Sequence, residues 1–156
     1  MAINLTSPIT GAAQTGLTSP TFTITADVAP NINSRQFAVT ALGGTQTGVT
    51  ASSVASPFTL TCERPANFRL QGVVNPTTGV LSNVPMNKWV LNRTRKGVIP
   101  LAGQSPRVML VETYAMVPAG ADVADPTSVR SCLSAHIGAL TQTSSGIGDS
   151  VVSGVM

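Results

Sequence analysis

The sequence predicts an α+β fold: an antiparallel sheet of about five strands preceded by an N-terminal hairpin, then one or two C-terminal helices. Three observations predict it. Apolar residues alternate with threonines and other polar residues through much of the first two-thirds of the chain. Clusters of Gly, Pro and Asn punctuate those segments as turns do. After Pro118-Ala119-Gly120 the apolar spacing switches to the helical one. With 156 residues, one domain over 1–156 is expected, divided into a β region at 1–118 and a helical region at 119–156.

The elements follow in order. Thr21-Phe22-Thr23-Ile24-Thr25-Ala26 alternates strictly, and Pro30-Asn31-Ile32-Asn33 is turn chemistry. Gln36 to Leu42 is a second strand, ended by Gly43-Gly44; with its neighbour it makes a hairpin or an antiparallel pair. Residues 45–56 are small and polar, a loop. Phe58-Thr59-Leu60-Thr61-Cys62-Glu63 alternates again, until Pro65. Phe68, Leu70, Val73 and Val74 suit a short strand, before turns at Asn75–Gly79 and Asn83–Pro85. Asn87 to Lys96 reads as a strand, Gly97–Pro106 as a loop, and Arg107 to Val117 as a strand apolar on both faces. Asp125-Pro126 marks a helix start, with Asp at the N-cap and Pro at the first position. Val129, Cys132, Leu133, His136, Ile137 and Leu140 then form one helical stripe, and a short second helix is expected at 147–152.

Charge is scarce and unevenly placed. Charged residues make up 10% of the chain, against about 25% in an ordinary soluble domain. Hydrophobic residues make up 42%. Such a surface is expected to be buried in part against other subunits. Seven of the nine basic residues lie between Arg64 and Arg107, and no carboxylate lies between Glu63 and Glu112. A field of that sign attracts phosphate; the competing reading is a solvated basic face without a ligand.

Catalytic patterns are missing. The single histidine, His136, sits on the apolar stripe and reads as a packed or interfacial residue. No nucleophile elbow, phosphate loop or dinucleotide fingerprint occurs. No enzyme activity, cofactor or metal site is expected. Cys62 and Cys132 have no metal or redox spacing and read as small buried hydrophobes of a reducing compartment. The N-terminal residues carry no secretion pattern and no apolar run reaches membrane-span length, so synthesis in a cytosol is expected.

One segment carries binding chemistry. Taken as a regular strand, residues 87–96 present Lys88, Val90, Asn92, Thr94 and Lys96 on one face. Trp89, Leu91, Arg93 and Arg95 occupy the other, where Trp89 packs the core. Thr59 and Thr61 extend the first face if the two strands pair. Arg93 and Arg95 complete the basic cluster assigned to RNA, with support of the fold edge or a shell contact as their alternative. A sheet presenting Lys, Asn and Thr grips single-stranded or looped RNA, whose bases are open to reading.

The layout resembles the coat proteins of single-stranded RNA bacteriophages. The resemblance rests on the alternating N-terminal strands, Phe58-Thr59-Leu60-Thr61-Cys62, and the Asn-Lys-aromatic strand Asn87-Lys88-Trp89-Val90-Leu91. It continues through a Gly/Pro loop, the long apolar strand ending Met116-Val117-Pro118, and the tail from Asp125-Pro126. It implies a homodimer whose sheets join edge to edge, each subunit's helices lying over the partner's sheet. Val129, Leu133, His136, Ile137 and Leu140 would then be interface residues. It also implies an icosahedral shell, a loop at 97–106 packed around the symmetry axes, and the other sheet face turned to genomic RNA in the virion. In several members that face binds a hairpin that represses replicase translation. By position, Lys88, Val90 and Asn92 with Thr59, Thr61 and Glu63 would face RNA. Glu63 departs from the pattern, because a carboxylate there repels phosphate. Two alternatives carry weight beside this reading: a non-capsid RNA-binding β module, disfavoured by few aromatic platforms, and an adhesin or pilus-type subunit, disfavoured by the N-terminus.

Overall fold

A computed structural model of the chain describes residues 3–156. Six strands form one antiparallel sheet in sequence order: β1 (Ile9–Thr10), β2 (Thr18–Asp27), β3 (Ser34–Thr45), β4 (Phe58–Glu63), β5 (Met86–Val98) and β6 (Arg107–Pro118). Helices α1 (Ala121–Ala124), α2 (Pro126–Gln142) and α3 (Ser144–Ser153) follow. The α+β order is the predicted one. The strand count is slightly higher because the N-terminal pair merges with the main sheet, where β1 pairs with β2.

The alternation in β2, β3 and β4 separates two layers. Ile24 pairs with Val39, and Phe37 with Leu60, on an apolar face. The N-terminal segment crosses that face, and Ile3, Leu5 and Ile9 line a cavity of about 480 Å³ with Val39, Leu60 and Cys62. Ser7 Oγ fastens the crossing by accepting from Ile24 N at 3.0 Å. Val39, fully buried, marks the centre of the core. Phe22 and Phe58 meet edge to face, with ring centroids 5.7 Å apart.

Two expectations change locally. Gly43-Gly44 does not end β3, which runs to Thr45. Gly44 has φ +73°, and a Cβ there would collide with the carbonyls of Thr18 and Ser19. The glycine therefore lets β2 and β3 stay paired past a bulge. Residues 66–74 form no strand; between β4 and β5 there is a single bridge, Val74 with Leu81, around the 75–79 turn. Asn87 secures this segment by accepting from Arg69 N at 2.8 Å and donating to Arg69 O at 3.1 Å.

The helix start is as read. Asp125 caps α2 through its side chain, which accepts from Ser128 N at 3.1 Å, with Pro126 at the first turn. The short tail helix begins earlier than predicted, at Ser144. Ser144 Oγ donates to Ala13 O at 2.7 Å, and Gln14 Nε2 donates to Ser144 O at 2.8 Å, so α3 docks on its own N-terminal segment. No residue of α2 is buried.

Candidate nucleic-acid interface

Register decides which side chains share a face. Lys88 pairs with Met116 and Val90 with Tyr114, but the next pair is Asn92 with Thr113. Leu91 is an extra residue, a β-bulge, and alternation restarts after it. Arg93 and Arg95 therefore join the face of Lys88 and Val90, across from Thr61 and Thr59. Asn92, Thr94 and Lys96 turn to the apolar face, where Thr94 pairs with Leu60 and Lys96 with Phe58. The expected single row of Lys88, Val90, Asn92, Thr94 and Lys96 is thus split at Leu91, and Arg93 and Arg95 lie opposite to Trp89.

Lys96 has a structural setting on its face. Its Nζ donates to the hydroxyls of Thr50 and Ser56, each at 3.2 Å, and lies 5.2 Å from the Phe58 ring centroid. Partial desolvation lowers its pKa below the ordinary lysine value. The side chain ties the 46–56 loop to the sheet. Asn92 Nδ2 donates to Thr94 Oγ1 at 3.1 Å on the same face.

On the polar face, Thr59 and Thr61 form no open row. They are 8% and 1% exposed, and Thr61 Oγ1 bonds Gln36 Oε1 at 3.1 Å. Val90 is also buried. The open cations on this face are Lys88 and Arg95. Lys88 Nζ sits 4.4 Å over the Tyr114 ring, a cation–π contact.

Arg93 is held between two carboxylates. Its NH1 lies 3.0 Å from Glu63 Oε2 and its NH2 3.1 Å from Glu112 Oε1. Asn31 Nδ2 donates to the other oxygen of Glu63 at 2.6 Å, and Lys88 Nζ is 3.8 Å from Glu112. Glu63 and Glu112 are the two carboxylates that bracket the basic window in sequence. Antiparallel pairing of β4, β5 and β6 brings both back onto its middle. Glu63, Lys88 and Arg93 of this cluster, with the turn at 31–33 and the segment 64–69, line a cleft of about 800 Å³ that Arg64 and Arg69 also border.

The other open surface is apolar. β6 ends the sheet order, and Val108, Met109, Leu110 and Val111 are exposed along it. A groove of about 460 Å³ runs between β6 and α2, lined by Tyr114, Val117, Val129, Cys132, Leu133 and His136. Ile137 and Leu140 continue the stripe and are exposed.

No family model and no curated protein matches the chain. A solved structure does: a "Virus-like particle of bacteriophage ESE020", 53% identical, covering 99% of this chain and 100% of that chain, with a TM-score of 0.96. The chain belongs to the bacteriophage coat-protein family. As a coat protein it has a structural role in the capsid.

Sequence reasoning about this coat protein missed Leu91 as a bulge, Glu112 as a partner of Arg93, and the cleft cations Arg64 and Arg69. The bracketing of the basic window by two carboxylates was the one visible signal for the Arg93 cluster. His136 lines the groove as part of the apolar stripe. Cys62 is buried, and burial raises its thiol pKa, whereas Cys132 is exposed on α2, against the expectation that both are buried. No helix among the described residues is long and apolar enough to cross a membrane.

Proposed function

We propose that this coat protein dimerises edge to edge through β6 and builds an icosahedral shell around single-stranded RNA, the polar sheet face turned to the genome. One observation carries the reading: β6 is twelve residues long, lies at the sheet edge, and exposes apolar side chains on both faces. A strand of that length and character is a template for pairing with another strand. A two-fold axis beside β6 would continue the sheet into a second subunit. It would also bring a partner to the stripe of Val129, Leu133, His136, Ile137 and Leu140, which its own chain covers only in part.

Lys88, Arg95, Arg64 and Arg69 supply the cations for RNA on the inward face, with Arg93 buttressing them and Thr59, Thr61 and Val90 beneath them. Asn92, Thr94 and Lys96 lie on the opposite face and are assigned to packing instead. A repressor hairpin would be read on the same inward face. Production in the bacterial cytoplasm and residence in the virion complete the reading.

The test is expression of the chain alone, followed by size-exclusion chromatography and negative-stain microscopy. Uniform shells holding nuclease-protected RNA are expected. A soluble monomer at every protein and salt concentration would sink the reading. Shells that hold no RNA would retain the capsid role and remove the RNA assignment.

A further inference from the structure

The carboxylates at the centre of the polar face are hard to reconcile with an RNA path across it. Arg93 directs one terminal nitrogen at Glu63 and the other at Glu112. Its guanidinium fork, the part that would clasp a phosphate, is already occupied. The cluster is shielded from water: the side chains of Arg93, Glu63 and Glu112 are 28%, 17% and 23% exposed. Salt screens such a group less than an open surface pair. A phosphate arriving there would meet two carboxylates and a guanidinium whose charge they already balance. Lys88 leans toward the same Glu112, so the four formal charges of Lys88, Arg93, Glu63 and Glu112 cancel.

Glu63, Lys88 and Arg93 of this strip line one part of a cleft whose rim differs. Arg64 and Arg69 line it, are exposed, and, among the described residues, have no carboxylate within ion-pair distance. Asn33 and Asn67 line it with them, and amide groups of that kind can pair with base edges. Its volume, about 800 Å³, lies within the range of ligand-binding clefts.

We propose that Glu63 and Glu112 make the centre of the polar face a strip that rejects phosphate, and that the RNA backbone follows the cleft rim on Arg64 and Arg69. The proposal deepens the RNA reading above and rests on it. Glu63, out of place as an RNA contact, becomes a determinant of where RNA does not lie. Within the +7 window, Lys88 and Arg93 are then a balanced pair and Arg64 and Arg69 a working rim.

The experiment measures binding of unstructured oligouridine to purified, RNA-free coat protein as a function of NaCl concentration. Four proteins are compared with the unmutated one: R64Q/R69Q, E63Q/E112Q, R95Q and the combination of the first two. Removing two single-strand phosphate contacts in R64Q/R69Q should flatten the slope of log K against log salt by about 1.4. Freeing Arg93 and Lys88 in E63Q/E112Q should tighten binding and steepen the slope by about 0.7 for each cation that then reaches phosphate. The combined variant should bind through the sheet centre, with a slope between those of its parents. An unchanged slope in R64Q/R69Q overturns the rim assignment, and this variant does not depend on the ion-pair cluster for folding. Unchanged or weaker binding in E63Q/E112Q overturns the rejecting strip. A slope flattened by R95Q but not by R64Q/R69Q places the backbone across the centre, overturning this proposal while keeping RNA binding. No binding by the unmutated protein at low salt overturns the RNA reading itself.

Discussion

Asp125 and Leu91 show how far single residues announce themselves. Asp125-Pro126 states a helix start in local chemistry, and the Asp125 side chain is found on Ser128 N. Ser128 lowers the Asp125 carboxyl pKa, through its side-chain hydroxyl first and this backbone N–H second. A group whose pKa is depressed in the folded state stabilises that state above its unfolded pKa and loses the contribution as pH falls through the folded pKa. Thermal unfolding followed across the acid range should show α2 loosening below the ordinary aspartate range. Asp125→Asn should keep the cap and remove that pH dependence, while Asp125→Ala should loosen the start of α2 at every pH. Equal acid sensitivity of the Asn variant and the unmutated protein would assign the effect to other carboxylates. Leu91 has no such local mark. Trp89-Val90-Leu91 is an apolar run without Gly or Pro, and the partner strand, not the run, determines where an extra residue is absorbed. The facing of Arg93, Arg95 and Lys96 was therefore not legible from β5 alone.

Among the elements, β4 was the most legible and the segment 66–86 the least. β4 alternates with no bulge inside it, so Phe58, Leu60 and Cys62 face one way and Thr59 and Thr61 the other, as read. What alternation did not reveal is that both threonines are buried, with Thr61 bonded to Gln36 of β3. The segment 66–86 is held by side-chain-to-backbone bonds from Asn87, a kind of fastening that leaves no periodicity. α2 was legible as a stripe, and in the proposed dimer the partner subunit covers it. Cys132, exposed on that stripe beside Leu133 and His136, offers a direct measurement. In the proposed dimer a maleimide should label Cys132 slowly in intact shells and rapidly once subunits dissociate, while Cys62 stays unlabelled until the fold opens. Rapid labelling of Cys132 in intact shells would place the stripe in solvent and reject this packing.

At the scale of the whole molecule, two kinds of surface respond to salt in opposite directions. The exposed flank of β6 and the α2 stripe are apolar, and excluded salts such as sulfate strengthen apolar burial. The cations around the cleft bind phosphate by releasing counterions, which salt opposes. Raising sulfate should therefore release RNA from nuclease-opened shells while leaving the shells standing, as sedimentation and absorbance ratios would report. Shells that fall apart as their RNA leaves would show that RNA, and not the apolar contacts, holds them together. The sparse charge that first suggested subunit burial fits this division: Ser and Thr supply much of the polar content, and the cations open to phosphate gather around the cleft and the polar face.

The bulge at Leu91 has a genetic consequence. Removing the Leu91 codon would join Val90 directly to Asn92, whose partners Tyr114 and Thr113 are already neighbours on β6, so both arms of β5 would keep their facing. Adding a codon just after Asn92 would instead drive Arg93 and Arg95 among Leu60 and Phe58, and Lys96 would leave its two hydroxyl partners. Coat genes of this kind should therefore survive loss of the Leu91 codon and reject a codon added within residues 92–96, and a library of in-frame single-codon deletions and insertions across β5 would show the asymmetry.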